Sequence, residues 1–141
     1  MYPDGDNMES DKTQMLQGCR VLVVEDEYFL ADDLRSELEA HGASVIGPVG
    51  NLPDALAEVE RDGFDVAIID INLHDEPAFV LADKLVRQNI PFFFTTGYGQ
   101  DAIPSRFDNV VRWEKPYVTR QVAEEVRRFC THKHDPTRET P

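Results

Sequence analysis

Short apolar runs alternate with longer segments of helical spacing through the middle of the chain. The first run, residues 19–24, is apolar and β-branched, and it stops abruptly at three acids. The next stretch, residues 28–41, has apolar positions three and four residues apart, and Gly42 follows it. Spacing of this kind places the apolar side chains on one face of a helix. The pattern therefore predicts a buried strand followed by an amphipathic helix.

The same pair of elements recurs along the chain. Further strands are predicted at residues 44–49, 66–69, 92–95 and 109–113. Further helices are predicted from the cap Asn51 to Gly63, at residues 78–88 and from Thr119 onwards. Residues 98–107 are the exception, because Gly99 and Pro104 leave too few residues for an ordinary helix. We expect a loop or one frayed turn there.

Five strands that alternate with helices predict an α/β fold. Short connections and right-handed crossovers then favour a parallel sheet covered by helices on both faces. In open sheets of this type, ligands bind beyond the carboxyl ends of the strands. The polar residues predicted at those ends are Glu25, Asp26, Asp70, Thr96 and Lys115.

The two ends of the chain differ from this middle part. Residues 1–17 are polar and acidic without helical or strand periodicity, and residues 131–141 have the same character. We expect a flexible acidic leader over 1–17, one folded domain over 18–130 and a flexible tail over 131–141. The length of 141 residues leaves little room for a second domain. A single-domain protein without an output domain is the expected organisation.

Charge and cysteine content narrow the classes of partner. With 14 Lys plus Arg against 27 Asp plus Glu, the net charge is −13, which disfavours nucleic acid and anionic membranes as partners. No apolar stretch is long enough to span a membrane, and the first residues lack the pattern of a signal peptide. Cys19 and Cys130 lie far apart in sequence, so we expect two reduced thiols. These features predict a cytoplasmic protein whose partners are proteins or cations.

The acids at the predicted strand ends indicate a cation site. Three carboxylates a few ångströms apart, from Glu25, Asp26 and Asp70, repel one another unless a cation joins them. Mg²⁺ is the natural ligand, since it binds a few carboxylates and keeps waters that a phosphate can replace. Lys115 adds a positive charge for phosphoryl oxygens, and Thr96 adds a hydroxyl. The set predicts a phosphoryl-transfer site with Asp70 as nucleophile.

The strand-end residues together resemble a receiver domain of the two-component response regulators. The matching motifs are Glu25-Asp26 in VVEDE, Asp70 in AIIDINL, Thr96 in TTG and Lys115 in EKP. The resemblance covers residues 19 to about 130. It implies a flavodoxin-like doubly wound sheet of five parallel strands in the order 2-1-3-4-5. The helix between the fourth and fifth strands would be short or disordered.

The same resemblance implies a function for each matching residue. Asp70 would accept a phosphoryl group from a phosphohistidine on a sensor histidine kinase. Asp26, Asp70 and the backbone carbonyl of Asn72 would hold Mg²⁺, and Glu25 would act through water. Lys115 would contact the phosphoryl group, and Thr96 would turn toward it once it is attached. The protein would catalyse only its own phosphorylation and dephosphorylation, and so is not expected to be an enzyme.

Two positions depart from the common receiver pattern. Arg112 stands three residues before the lysine, where many receivers carry an aromatic switch residue. Residues 91–99, PFFFTTGYG, resemble a subclass marked by Phe-Ala-Thr-Gly, a hydrophobic residue and Tyr. Here Thr95 replaces the alanine, and Tyr98 falls one position early. That subclass implies stand-alone regulators and kinases of the histidine-tryptophan-glutamate type.

Other functions remain open at this point. One is a pseudo-receiver, which binds partners through the same fold without being phosphorylated. Another is a phosphatase of the haloacid dehalogenase type, because Asp70-Ile71-Asn72 resembles its Asp-x-Asp signature. That signature needs a second aspartate at position 72 and usually a cap domain, and neither is present. A receiver could bind a downstream protein, relay its phosphoryl group or drain phosphate from a shared kinase.

Overall fold

A computed structural model of the protein describes residues 14–74, 76–97 and 102–133. Five strands form one parallel sheet: β1 Arg20–Val24, β2 Ser44–Val49, β3 Val66–Asp70, β4 Phe92–Thr96 and β5 Arg112–Glu114. Four α-helices accompany them: α1 Tyr28–Ala40, α2 Leu52–Arg61, α3 Phe79–Arg87 and α4 Thr119–Lys133. The strand order is β2-β1-β3-β4-β5. The predicted flavodoxin-like fold and strand order are confirmed.

The sheet separates two apolar clusters because alternate residues of each strand face opposite sides. In β1, Leu22 and Val24 pack with residues of α2 and α3. Val21 and Val23 pack on the other side with residues of α1 and α4. All four side chains are fully buried, and burial of each contributes about 1.5–3 kcal/mol to folding. The sheet therefore has apolar contacts on both faces, as a parallel sheet requires.

Local sequence explains the ends of the second helix. The Asn51 side chain accepts a hydrogen bond from the Asp54 backbone N–H at 2.9 Å, which confirms the predicted cap. Asp62 ends α2 in the left-handed conformation, with a φ of 52°. Within the described ranges, no helix has the length and apolar character needed to cross a membrane.

The segment between β4 and β5 contains no α-helix in its described part, 102–111. A single 3₁₀ turn, Ser105–Phe107, is present, which agrees with the predicted frayed turn. Phe107 is fully buried and contacts the rings of Phe79, Phe92 and Phe94. This aromatic cluster anchors the segment to the sheet. Residues 98–101 of the predicted loop lie outside the described residues.

The fifth strand begins later than the sequence predicts. The apolar pair at 110–111 favours a strand over 109–113, but the Val110 N–H bonds back to the Phe107 carbonyl in a turn. The ladder with β4 starts only at Arg112, which pairs with Phe94. A turn bond within this segment therefore takes precedence over the strand propensity of the valines.

The boundary predicted at residue 17 for the flexible leader is wrong. Leu16 is fully buried in the cluster under α1 and α4, and its N–H bonds to the His41 carbonyl at 2.8 Å. A residue with these contacts belongs to the folded domain. At the other end, α4 runs to Lys133, inside the predicted tail of 131–141. Residues 1–13 and 134–141 of the predicted leader and tail lie outside the described residues.

The prediction of two reduced thiols is also wrong. Cys19 and Cys130 form a disulfide between chain positions 111 residues apart, with their Cα atoms 5.6 Å from each other. The helix α4 starts near the carboxyl edge of the sheet and returns along one face. Its last turns therefore reach Cys19, at the amino end of β1. Sequence separation conceals this proximity, because only the fold brings the two positions together.

Candidate functional site

Three acids meet at the carboxyl edge of the sheet. Glu25 and Asp26 follow β1, and Asp70 is the last residue of β3, the neighbouring strand. One carboxylate oxygen from each lies within 4.8 Å of the others. Glu25 is 4% exposed and Asp70 is 3% exposed, so most of this charge is withdrawn from water. Burial of this kind needs a positive partner.

Lys115 supplies that partner. Its Nζ lies 2.8 Å from Asp70 Oδ2, 3.0 Å from Glu25 Oε1 and 3.1 Å from Glu27 Oε1. The Lys115 N–H donates to the Thr96 carbonyl at 2.8 Å, which ties the lysine to the end of β4. One ammonium therefore contacts three carboxylates and leaves the cluster with excess negative charge.

The pKa values follow from this shortage of positive charge. Burial raises the pKa of Glu25 from 4.5 to about 7, and the negative charge of Asp70 adds to the increase. The Glu27 N–H and Lys115 lower it only in part. For Lys115, burial lowers the pKa, but hydrogen bonding and charge pairing with Asp70 and Glu25 outweigh burial and raise it above the ordinary value. A second cation at the acids would favour ionised Glu25.

An open cleft of about 200 Å³ lies above Asp70. Its lining consists of Asp26, Glu27, Asp70, Asn72, His74, Gly97 and Lys115. The acids and the lysine therefore face a space that a small anion or a partner side chain can enter. Six of these seven residues are polar, so the cleft suits a charged ligand rather than an apolar one.

Backbone groups after β3 hold the acids in place. The Asn72 N–H donates to Asp70 Oδ1 at 3.0 Å, and the His74 N–H donates to Asp26 Oδ2 at 2.9 Å. His74 has a φ of 50°, in the left-handed region, which turns the chain back toward Asp26. The two carboxylates are thereby oriented before any ligand binds.

The donor set fits Mg²⁺. Asp26 and Asp70 offer carboxylate oxygens, and Asn72 follows Asp70 closely enough to hydrogen-bond to it. The side-chain Oδ1 of Asn72 is buried and has no hydrogen-bond partner among the described residues. Hard oxygen ligands of this kind select Mg²⁺ over softer metals.

The structure brings five of the six predicted site residues to one place and positions the sixth beside them. Glu25, Asp26, Asp70, Asn72 and Lys115 are joined by the contacts given above. Thr96 is 5% exposed at the end of β4, and its carbonyl binds Lys115. The next residue, Gly97, lines the cleft. Arg112, the residue that departs from the aromatic residue of many receivers, is exposed on β5.

Three residues near the site escaped the sequence analysis. Glu27 binds Lys115, although the sequence shows it only as the third acid after the first predicted strand. His74 belongs to none of the motifs in the sequence, yet its backbone N–H orients Asp26. Tyr117 lies on the apolar cluster with a buried hydroxyl that has no partner in the described parts of the chain. Its position two residues after Lys115 was the available signal.

Comparison with known proteins agrees with this geometry. The sequence profile of the response regulator receiver domain matches residues 21–109. Sensory transduction protein RegX3 of Mycolicibacterium smegmatis is 34% identical over 116 residues, which cover 76% of this chain and 48% of that protein. Sensory transduction protein LytT of Bacillus anthracis is 29% identical over 118 residues, covering 81% and 48%. The chain spans about half the length of these curated relatives.

A solved structure of similar size gives the same result. The BeF3-activated conformation of SdrG from Pseudomonas melonis Fr1 superposes with a TM-score of 0.63 at 35% identity. The match covers 76% of this chain and 92% of that chain. The chain that carries these acids and Lys115 is therefore similar to a protein of known structure in both fold and sequence.

Proposed function

Because this chain belongs to the response regulator receiver domain family, we propose that Asp70 accepts a phosphoryl group from the phosphohistidine of a sensor histidine kinase. The observation that carries the proposal is the contact of Lys115 Nζ with Asp70 Oδ2 at 2.8 Å, at a cleft open to a donor. The protein acts as a phosphoacceptor in signalling rather than as an enzyme with an external product.

The transfer forms one bond and breaks another. A carboxylate oxygen of Asp70 bonds to phosphorus as the bond from phosphorus to the donor imidazole nitrogen breaks. The electron pair stays on the imidazole, which takes up a proton. Lys115 stabilises the negative charge of the phosphoryl oxygens, and the Asn72 N–H keeps the Asp70 carboxylate oriented. Positioning and charge stabilisation supply most of the rate in reactions of this class.

The acids around Asp70 would hold the metal that this reaction requires. Asp26, Asp70 and the Asn72 carbonyl would bind Mg²⁺, and Glu25 would act through water. The bound ion would offset negative charge that Lys115 alone does not balance. The raised pKa of Glu25 supports this, since a second cation would relieve the repulsion that contributes to it.

We also propose a docking surface for the kinase beside the cleft. Tyr28 and Phe29 begin α1 directly after the acids and are 73% and 82% exposed, with ring centroids 5.4 Å apart. Exposed aromatic pairs are typical of binding surfaces. We assign this pair to kinase binding. A kinase of the histidine-tryptophan-glutamate type is the finer expectation, based on the resemblance of residues 91–99 to the subclass motif.

Phosphorylation would change a second surface. Thr96 would turn toward the new phosphoryl oxygens and draw the segment after β4 with it. That segment, β5 and α4 would then alter their affinity for a downstream protein by a coupling of about 1–3 kcal/mol. We propose a cytoplasmic response regulator whose receiver domain is centred on residues 18–130 and extended by the folded residues that precede it.

A small phosphodonor with Mg²⁺ tests the proposal. The wild-type chain should gain about 80 Da, the mass of one phosphoryl group, and Asp70→Asn should gain none. Asp108→Asn, at an exposed acid, is the matched control and should be phosphorylated like the wild type. Steady release of phosphate without an adduct would instead indicate a phosphatase. Absence of any adduct, with kinase and small donor alike, would indicate a pseudo-receiver.

A further inference from the structure

The disulfide joins the two elements whose other ends carry the phosphorylation site. Cys19 directly precedes β1, and Glu25 directly follows that strand. Cys130 lies late in α4, and that helix begins four residues after Lys115. The bond therefore lies at the opposite edge of the sheet from Asp70. It connects the two elements that flank the acid cluster.

The two cysteines sit where they can form or break their bond without a large rearrangement. Their Cα atoms are 5.6 Å apart, inside the usual range for disulfides. Cys19 is fully buried and Cys130 is 3% exposed, both within the apolar cluster that includes Leu16 and Val126. Apolar contacts hold the same neighbours together, so the fold does not depend on the disulfide alone.

The position of Cys130 provides a route for exchange. It lies three residues before the end of α4, in the turns of a helix that open most easily. Opening of these turns exposes Cys130 while Cys19 stays beneath α1. A buried thiol is inert in the closed state, so exchange at this site proceeds only through such opening and is slow.

We propose that Cys19 and Cys130 form a reversible thiol–disulfide site that clamps the last turns of α4 to β1 when oxidised and frees them when reduced. The oxidant is a low-molecular-weight disulfide such as glutathione disulfide. The Cys130 thiolate attacks one of its sulfurs and releases one glutathione, leaving a mixed disulfide. The Cys19 thiolate then attacks Cys130 and releases the second glutathione. Two cysteine thiols are oxidised, and their protons go to the two glutathione thiols.

Redox titration of the full chain tests the site directly. The chain is equilibrated with reduced and oxidised glutathione at ratios from strongly reducing to strongly oxidising. Free thiols are then blocked with N-ethylmaleimide, and the mass of the chain is measured by mass spectrometry. We expect two adducts per chain at the reducing end. At the oxidising end we expect no adduct and a mass about 2 Da below that of the dithiol. A chain that stays entirely oxidised or entirely reduced across the series would refute a reversible site.

The clamp itself is measured by stability and hydrogen exchange. Oxidation should raise Tm by about 5–15 °C, because the bond closes a long loop. Oxidation should also slow hydrogen exchange of the backbone amides of residues 126–130 at least tenfold. The amides of α2 should exchange at the same rate in both redox states once the two states are compared at equal global stability. Equal exchange at 126–130 in both states would refute the clamp.

Matched variants separate the bond from the packing of the cysteines. Cys19→Ser and Cys130→Ser each remove the disulfide and should make Tm independent of the glutathione ratio. Cys19→Ala with Cys130→Ala avoids a buried hydroxyl and should behave like the reduced wild type. None of these measurements uses phosphorylation. Failure of the Asp70 proposal would therefore leave this inference intact, and the reverse also holds.

Discussion

The two edges of the sheet are built on opposite physical principles. At the carboxyl edge, Glu25 and Asp70 bury negative charge that Lys115 balances only in part. At the amino edge, Leu16 and the disulfide partner Cys19 lie among apolar side chains, and the Asp65 carboxylate beside them is paired with Arg20. The same strands run through both edges, so the difference lies in the residues placed at their ends.

This contrast separates stability from function. Burial of apolar residues at the amino edge stabilises the fold without a direct dependence on pH or on cations. The carboxyl edge depends on pH and on cations, because the free energy of its buried charges changes with both. A site that is unfavourable by itself gains most from binding a ligand that neutralises it. The edges should therefore respond differently to the same perturbations.

Removal of the lysine should have the largest effect. Lys115→Met leaves Glu25 and Asp70 without their positive partner, and we expect a loss of about 2–3 kcal/mol in the free energy of unfolding without Mg²⁺. Millimolar Mg²⁺ should restore most of this loss while phosphorylation stays impaired. Urea denaturation with and without Mg²⁺ measures the first effect, and phosphodonor labelling measures the second.

A second lysine provides the control for this experiment. Lys84 pairs with Glu60 away from the cleft, so Lys84→Met should cost less than about 1 kcal/mol and show no special response to Mg²⁺. Equal losses in the two variants, or a loss at Lys115 that Mg²⁺ does not reduce, would contradict the proposed charge balance.

The fold was predictable from the sequence because its signals are local and redundant. The apolar run 19–24 and the fully buried strand Val66–Asp70 both stop at acids, and the first two helices have their own spacing and end at Gly42 and Gly63. The rule that polar residues at the carboxyl ends of parallel strands meet at one edge then places Asp70 and Lys115 together from the sequence alone. The spacing of apolar residues indicates whether an element is a helix or a strand and which of its faces is buried, and the strand ends indicate the edge of the sheet where ligands bind.

The errors arose where a contact depends on tertiary structure. The disulfide joins Cys19 and Cys130 across 111 positions, and no local pattern reports that distance. Leu16 stands in a polar stretch of the sequence, and it is buried only because the folded chain forms the apolar cluster under α1. In the sequence, Glu27 is only the third acid after a strand, because the contact that Lys115 makes with it across the sheet is not visible there.

The pH dependence of Mg²⁺ binding should be the next largest effect. The pKa of Glu25 is higher in the folded chain, at about 7, than its ordinary value of 4.5. The folded state therefore holds this proton more tightly. The stabilisation of the folded state by protonated Glu25 is present at low pH and is lost as pH rises from about 4.5 through 7. Mg²⁺ needs the ionised form, so its stabilising effect should be greater at pH 8 than at pH 6.

Thermal melts at pH 6, 7 and 8, each with and without Mg²⁺, measure this difference. In Glu25→Gln the Mg²⁺-induced rise in Tm should be smaller and nearly constant across the series. Glu124→Gln changes an exposed carboxyl of α4 and should retain the wild-type pH dependence. If the Mg²⁺-induced rise in the Tm of the wild type does not vary with pH, Glu25 does not contribute to the metal site.

Tyr117 lies between the apolar cluster and the charged carboxyl edge, and its substitution should have the smallest effect on stability. Its ring packs on the apolar cluster, whereas its hydroxyl is buried without a partner in the described chain and near the charge of Glu25. Because an unpaired buried hydroxyl is unfavourable, Tyr117→Phe should raise the free energy of unfolding by up to about 1 kcal/mol. Urea denaturation measures the change, with Tyr28→Phe at the exposed start of α1 as the neutral control. The combination of Tyr117→Phe with Glu25→Gln tests for the opposite outcome. If Tyr117→Phe lowers stability alone but not in the double variant, the Tyr117 hydroxyl interacts with the charged carboxyl edge.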